Sequence, residues 1–302
     1  MNTTFDPLVL TGAAFAGGGI GFVAGMFGIG GGFLLVPVLN IVLRIPIQFA
    51  VGSGICQVLG PATTSLLARR VGRESLQLPL TLAGGLFTGV FSGVRLFQLA
   101  EHQGDVALLG TMVPLADVVV LAVYCLLLTS LGLFAIWETC RARRGRPLKR
   151  GWLTRLRIPP FGQFAQFNLH DVSIPLLAWF GLAIGFLAGL LGTGGGMILI
   201  PGLIYLLGMR THQAVVSSLL IVWMTAAEAT AVHAWHGHVN LPLVASLLLG
   251  GTLGARLGSE FGQRIGGRQL RTAFGWLTLV AAAMIAVRLV WLLTSATDAP
   301  VK

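Results

Sequence analysis

Residues 21–40 read GFVAGMFGIGGGFLLVPVLN, and residues 185–204 read GFLAGLLGTGGGMILIPGLI. The two align without a gap, and eleven of the twenty positions are identical. Among these are Gly28, Gly30, Gly31, Gly32 and Pro37, against Gly192, Gly194, Gly195, Gly196 and Pro201. Further on, Ala50-Val51 and Ser53 match Ala214-Val215 and Ser217. The chain therefore carries an internal duplication. Each glycine string interrupts a strongly apolar run. Glycine in a helix costs about 1 kcal/mol relative to alanine, and a break facing lipid would strand backbone amides in hydrocarbon. The strings must face protein, water or a ligand.

The surroundings of the strings set the class of protein. Of 302 residues, 55% are hydrophobic and only 10% charged, against about 25% charged in a soluble domain. The windows 8–27, 76–94, 118–136 and 272–287 hold no Lys, Arg, Asp or Glu, and about 20 apolar residues span a bilayer core. The reading is an all-α polytopic membrane protein. A net charge of +10 suggests nucleic acid, but the basic residues sit in short loops between apolar runs, where they act as topology signals. No nucleic-acid partner is expected. The first ten residues, MNTTFDPLVL, contain no Lys or Arg, so 8–27 reads as a retained span rather than a signal peptide. Cys56 and Cys125 fall in apolar runs and Cys140 beside a basic loop, with no Cys-x-x-Cys. The first two read as packing residues.

Ten apolar segments can be drawn, at 8–27, 33–44, 47–68, 76–99, 115–138, 174–191, 197–208, 213–235, 241–258 and 270–292. The second and seventh follow the glycine strings and are too short to cross, which marks them as half-helices or tilted short spans. Basic loops at 69–73, 141–157 and 264–271 alternate with an acidic loop holding Glu101 and Asp105. By the positive-inside rule the basic loops face the cytoplasm and both termini lie outside, in an inner-membrane protein. The two halves then have opposite orientation, as in an inverted repeat. Five crossings per half fit this pattern. So do three crossings plus a re-entrant hairpin. The expected division is a first repeat over 1–139, a basic cytoplasmic linker over 140–172 and a second repeat over 173–302.

Two readings of the glycines apply to different residues. Gly21-x-x-x-Gly25 and Gly185-x-x-x-Gly189 are close-packing motifs. The strings 28–32 and 192–196 go beyond packing, since they free the backbone to end one helix and start another. A new helix begins with unpaired N–H groups and a partial positive charge, a natural seat for an anion. These are not nucleotide loops, because no Lys-Ser or Lys-Thr follows and no βαβ unit is present.

With its twin Gly-x-Gly-Gly-Gly strings, Pro37 and Pro201, and the entries Gln48-Phe49-Ala50-Val51-Gly52-Ser53 and His212-Gln213-Ala214-Val215-Val216-Ser217, the chain resembles the sulfite exporter TauE/SafE family. The resemblance covers nearly everything except 141–171. It implies a permease for small sulfur-containing anions such as sulfite, sulfonates, sulfoacetate or thiosulfate, without a bound cofactor. The longer, basic linker departs from that pattern.

Candidate substrate-binding residues follow from the strings and from hydroxyls and amides in the next helices. They are Gly30, Gly31, Gly32, Ser53, Gln57, Thr193, Gly194, Gly195, Gly196, Ser217, Ser218 and Thr225. Ser218, Thr225 and Glu228 share one helical face by spacing, although each hydroxyl can instead bond its own i−4 carbonyl. An acid within a span costs about 2.5–3.5 kcal/mol at the helix centre, so Glu228 is a candidate proton-coupling residue with His233 as its partner. His233, His236 and His238 read as an interfacial polar cluster rather than a metal site, since no further ligand accompanies them. Arg95, Arg256 and Arg288 read as snorkelling side chains, and Asp117 as a cap on the fifth span.

The expected function is secondary transport, as an exporter, of a small oxyanion by alternating access. Its partners are the anion and the bilayer, with a homo-oligomer allowed. A divalent-metal permease would need more midplane acids than Glu228 supplies. An intramembrane enzyme built on Ser53 lacks the Gly-x-Ser-x-Gly elbow and leaves the duplication unexplained.

Overall fold

The structure, a computed structural model, describes residues 6–27, 32–68, 76–108, 111–144, 151, 158–164, 169–264 and 267–294. Ten helices account for the ten apolar segments. They are α1 (Pro7–Phe27), α2 (Leu35–Ile41), α3 (Ile47–Ala68), α4 (Gln77–His102), α5 (Leu115–Arg143), α6 (Ile174–Leu191), α7 (Gly196–Pro201), α8 (Thr211–Trp235), α9 (Leu241–Arg264) and α10 (Gly267–Thr294). A π-helical turn, Gly202–Leu206, extends α7. It begins just after Pro201, which lacks the N–H a regular turn would use. Seven of the described helices are long and apolar enough to cross a membrane: α1, α4, α5, α6, α8, α9 and α10.

Two short antiparallel hairpins break the helical pattern. β1 (Asp105–Leu108) pairs with β2 (Thr111–Pro114) between α4 and α5, and β3 (Phe161–Phe164) with β4 (Leu169–Ser173) before α6. The second hairpin gives local structure to part of the stretch read from sequence as a basic cytoplasmic linker.

The helices pack in pairs that survive an exchange of the two halves. α1 lies on α9, and its counterpart α6 lies on α4, the counterpart of α9. α3 packs on α8 and α5 on α10, each pair mapping onto itself. Glycines make the α1/α9 and α4/α6 contacts possible. A methyl on Gly17 would stand 2.8 Å from the carbonyl oxygen of Leu247, and one on its counterpart Gly181 would stand 2.8 Å from that of Leu82. Backbones this close exclude any side chain. The partner helices bring their own glycines at the same spacing, Gly85, Gly89 and Gly93 in α4 and Gly250, Gly254 and Gly258 in α9. The duplication thus runs on through the fourth helix of each half.

The contacts also give the direction of each pair. Gly17 meets Leu247 and Gly25 meets Ala255, so α1 and α9 run parallel. Gly181 meets Leu82 and Gly189 meets Val90, so α6 and α4 do likewise. α5 and α10 run antiparallel: Gly132 faces Thr278, whereas the earlier Cys125 reaches the carbonyl of Ala282 at 3.8 Å. Large apolar side chains such as Phe15, Leu249, Leu253 and Val287 stay exposed on the outer surface of these helices, as a hydrocarbon solvent requires. Two of the cations expected at span ends lie over aromatic rings, with Arg95 5.0 Å from the Phe91 centroid and Arg288 4.6 Å from that of Trp291.

Candidate functional site

The second glycine string ends one helix and starts another. The Leu191 carbonyl at the end of α6 would be left without an intrahelical partner. It accepts a hydrogen bond from the buried Tyr124 hydroxyl of α5 at 2.8 Å. Gly192 closes α6 by donating to Ala188 O at 2.9 Å. Gly192, Gly194 and Gly195 hold φ of +69°, +66° and +74°, a left-handed region costly for side chains. That is the reason for glycine here. The Gly194 carbonyl accepts from Thr225 Oγ1 of α8 at 3.1 Å, and the Gly195 amide donates to Thr193 Oγ1 at 3.4 Å. The amides of Thr193, Gly194 and Gly196 find no acceptor among the described residues. All five residues of the string are buried. Buried, unpaired N–H groups are rare in folded proteins, and a run of them in a turn forms an anion-binding concavity.

The first string lies mostly outside the described residues, including Gly28, Gly30 and Gly31. Its last member is described. A methyl on Gly32 would stand 2.9 Å from the Thr193 carbonyl oxygen, so the two strings meet. Val58 of α3 touches both, lying beside Gly32 and beside Gly194, where Ile55 and Val222 join it.

The other polar candidates separate by how their atoms are used. Ser53 Oγ accepts from the Asn240 amide at 3.1 Å, fastening the start of α9 to α3. Ser218 Oγ donates to Val215 O at 2.9 Å in its own helix. Thr225 is committed to Gly194, Ile221 and Val222 carbonyls. By contrast Ser217 Oγ and Gln57 Oε1 are buried without a partner. Pro61 also offers no N–H to the Gln57 backbone carbonyl one turn earlier. Glu228 is half-buried on α8. His233 does not turn to it. Its Nε2 lies 2.9 Å from Gly189 O and its Nδ1 3.1 Å from His238 Nδ1. The separation of Glu228 and His233 by five residues places them on different helix faces. His236 bonds Val232 O at 2.7 Å within its own turn. No group of three or more His, Cys, Asp or Glu among the described residues is arranged to hold a metal.

The end of the bundle where α5 finishes and α10 begins holds a cavity of about 280 Å³, lined by α1, α5, α7, α8 and α10. Phe27, immediately before the first string, and Met197, immediately after the second, are both in its wall. The lining is mainly apolar, with Phe134, Ile204 and Phe274, but the Tyr205 hydroxyl bonds the buried Glu138 carboxylate there. Sequence reading passed over both residues. Glu138 closes an apolar segment beside a run of arginines and so looks like an interfacial residue, while Tyr205 sits in an unremarked apolar run.

Comparison with known proteins agrees with this architecture. The family described as sulfite exporter TauE/SafE matches residues 13–285. A probable membrane transporter protein of Xylella fastidiosa is 38% identical over 106 residues, 35% of this chain and 41% of its own length. The chain thus spans about two fifths of that relative in the aligned stretch. The probable membrane transporter protein YjnA of Bacillus subtilis is 26% identical over 269 residues, 87% of this chain and 94% of its own. The probable membrane transporter protein MJ0441 of Methanocaldococcus jannaschii is 24% identical over 267 residues, 83% and 86% of the two chains. No solved structure matches.

Proposed function

Because the chain belongs to the sulfite exporter TauE/SafE family, a family of membrane transporters, we propose that it moves a small sulfur-containing oxyanion such as sulfite, sulfoacetate or another sulfonate across the inner membrane. The single observation that carries this reading is the cluster of unpaired amides at Thr193, Gly194 and Gly196, where the two glycine strings touch. Backbone N–H groups bind oxyanions without a fixed counter-charge, which permits release as well as capture. Ser217 and Gln57 are the side chains proposed to join them, and Gly30, Gly31 and Gly32 supply the matching half. Ser53, Ser218 and Thr225 serve in this reading by holding the backbone around the site.

The repeats are proposed to be inverted across the membrane, as two equivalent helices running in opposite directions would require. The units are 1–139 and 173–302, with the basic segment 140–172 cytoplasmic and the termini outside. The anion enters from the basic end through the apolar cavity, drawn by Arg141, Arg144, Arg210 and Arg264. Export of a monovalent anion is downhill under an inside-negative potential, by about 2.3 kcal/mol per 100 mV. Alternating access rocks one half against the other about the paired strings.

The decisive experiment is a flux panel on protein reconstituted in vesicles. Sulfite, sulfoacetate, thiosulfate and a divalent cation are compared, with and without a pH gradient. Saturable flux of one of the anions and none of the cation is expected. Flux of the cation alone would overturn the reading in favour of a metal permease.

A further inference from the structure

At the end opposite the cavity, four groups from four parts of the chain form a line. Gly189 O of α6 lies 2.9 Å from His233 Nε2 of α8. His233 Nδ1 lies 3.1 Å from His238 Nδ1, in the turn between α8 and α9. His238 Nε2 lies 3.1 Å from Glu101 Oε2 at the end of α4. His233 is fully buried and His238 nearly so, whereas Glu101 keeps about a third of its side chain exposed, at 32%. Phe97 packs its ring edge-on against both imidazoles, 5.7 and 5.5 Å between centroids, and keeps water from their sides.

Counting protons along this line gives a definite result. A carbonyl oxygen and a carboxylate can only accept. The three contacts between Gly189 and Glu101 therefore need three protons. Two neutral imidazoles carry one N–H each and supply two. Satisfying all three contacts takes one further proton, on one of the imidazoles or on the Glu101 carboxyl. Without it, one contact sets two lone pairs against each other.

We infer that Glu101, His238 and His233 form a proton-binding relay, loaded from the outer medium through Glu101 and ending one turn before the second glycine string. The balance of a transfer is simple. Glu101 gives a proton to His238 Nε2, His238 gives its Nδ1 proton to His233 Nδ1, and His233 becomes an imidazolium still donating to Gly189 O. No other reactant is needed. The groups facing the relay are Glu101 and His102 from α4, His236 from the turn and His233 from α8. From α3, Gly52 packs against the His238 backbone. Loading of the relay thus bears on both helices that the 236–240 turn clamps. Its role in transport rests on the anion reading above, whereas its capacity to hold a proton does not.

The test has two arms, so the two can fail separately. In the first, protein labelled with ¹⁵N-histidine is placed in lipid nanodiscs and its imidazole shifts are followed between about pH 5 and 8. His233 and His238 are expected to titrate together, sharing one proton, with a midpoint that moves in Glu101→Gln. Independent titration of His233 and His238, unaffected by Glu101→Gln, overturns the relay. In the second, anion flux from vesicles is measured against outer pH. The wild type is expected to change across that range, where histidine titrates, and His238→Gln and Glu101→Gln to flatten the profile. Anion flux with the same pH profile in His238→Gln and Glu101→Gln overturns the coupling. Absence of any anion flux overturns the transport reading, and with it the coupling, and leaves proton binding to be decided by the shifts.

Discussion

Gly32 and Thr193 touch across the interface of the two halves, with room between them for a hydrogen atom on Gly32 and not for a methyl group. Each residue belongs to one of the duplicated strings, so the repeat is not merely an evolutionary trace. It builds one turn-against-turn contact with unpaired amides beside it.

Filling that contact should stop transport without unfolding the bundle. Gly32→Leu and Gly194→Leu are each expected to reduce anion flux at least about tenfold, because the strained turn must open and the amides turn away. Yield and elution profile in detergent should stay near wild type. Unchanged flux in both variants would remove the proposed site.

The glycines between α1 and α9 and between α4 and α6 make a different forecast. Gly17→Leu and Gly181→Leu occupy equivalent positions against Leu247 and Leu82. Both should lower the thermal midpoint in detergent by similar amounts, reflecting about 1–3 kcal/mol of overpacking. Gly19 faces open space, and Gly19→Leu should leave the midpoint alone. A midpoint shift at Gly19 as large as at Gly17 would mean that the surface of α1 is covered by something else.

The proposed orientation can be read with a natural probe. Cys140 is exposed beside the basic segment, whereas Cys56 and Cys125 are partly buried in helices. A membrane-impermeant maleimide should label inverted vesicles and not intact spheroplasts, with the signal lost in Cys140→Ser. Labelling of intact spheroplasts at Cys140 would reverse the topology.

His238 gives a pH dependence of stability. Burial pushes its imidazole below the ordinary 6.5, with the Glu101 carboxylate pulling the other way. A histidine whose folded value is depressed binds fewer protons folded than unfolded. Its contribution is therefore complete above about pH 6.5 and is lost as pH falls through the lower folded value. The thermal midpoint should rise from acid to about pH 6.5 and then level, with the rise diminished in His238→Gln. An equal rise in that variant would assign the dependence to other groups.

The helical scaffold was legible because apolar length is a strong signal. The segment 47–68 returns as Ile47–Ala68, and 174–191 as Ile174–Leu191. α5 runs past the sequence boundary to Arg143, since a helix can extend into an interface that its arginines favour. The hairpin at 105–114 was missed, because DVALLGTMVP alternates too little to stand out as two strands. The glycine rows at 85–93 and 250–258 were also passed over, being diluted by long apolar neighbours. At the site, the strings announced themselves through duplication, and Gln57 and Ser217 through polarity in an apolar setting. The partner of His233 did not, since His238 lies beyond a turn at Gly237, whose φ is +75°. Helical spacing says nothing about residues brought back by such a turn.

The pairing of α5 with α10, two counterparts running in opposite senses, leaves the framework without an inherent arrow. Whatever mechanical play one end enjoys, the other end owns as well. Under the proposed inverted repeat, the two ends differ only in the side chains that break the likeness, Glu138 and Tyr205 at one and the histidine line at the other, while the gradient sets which way net flow runs.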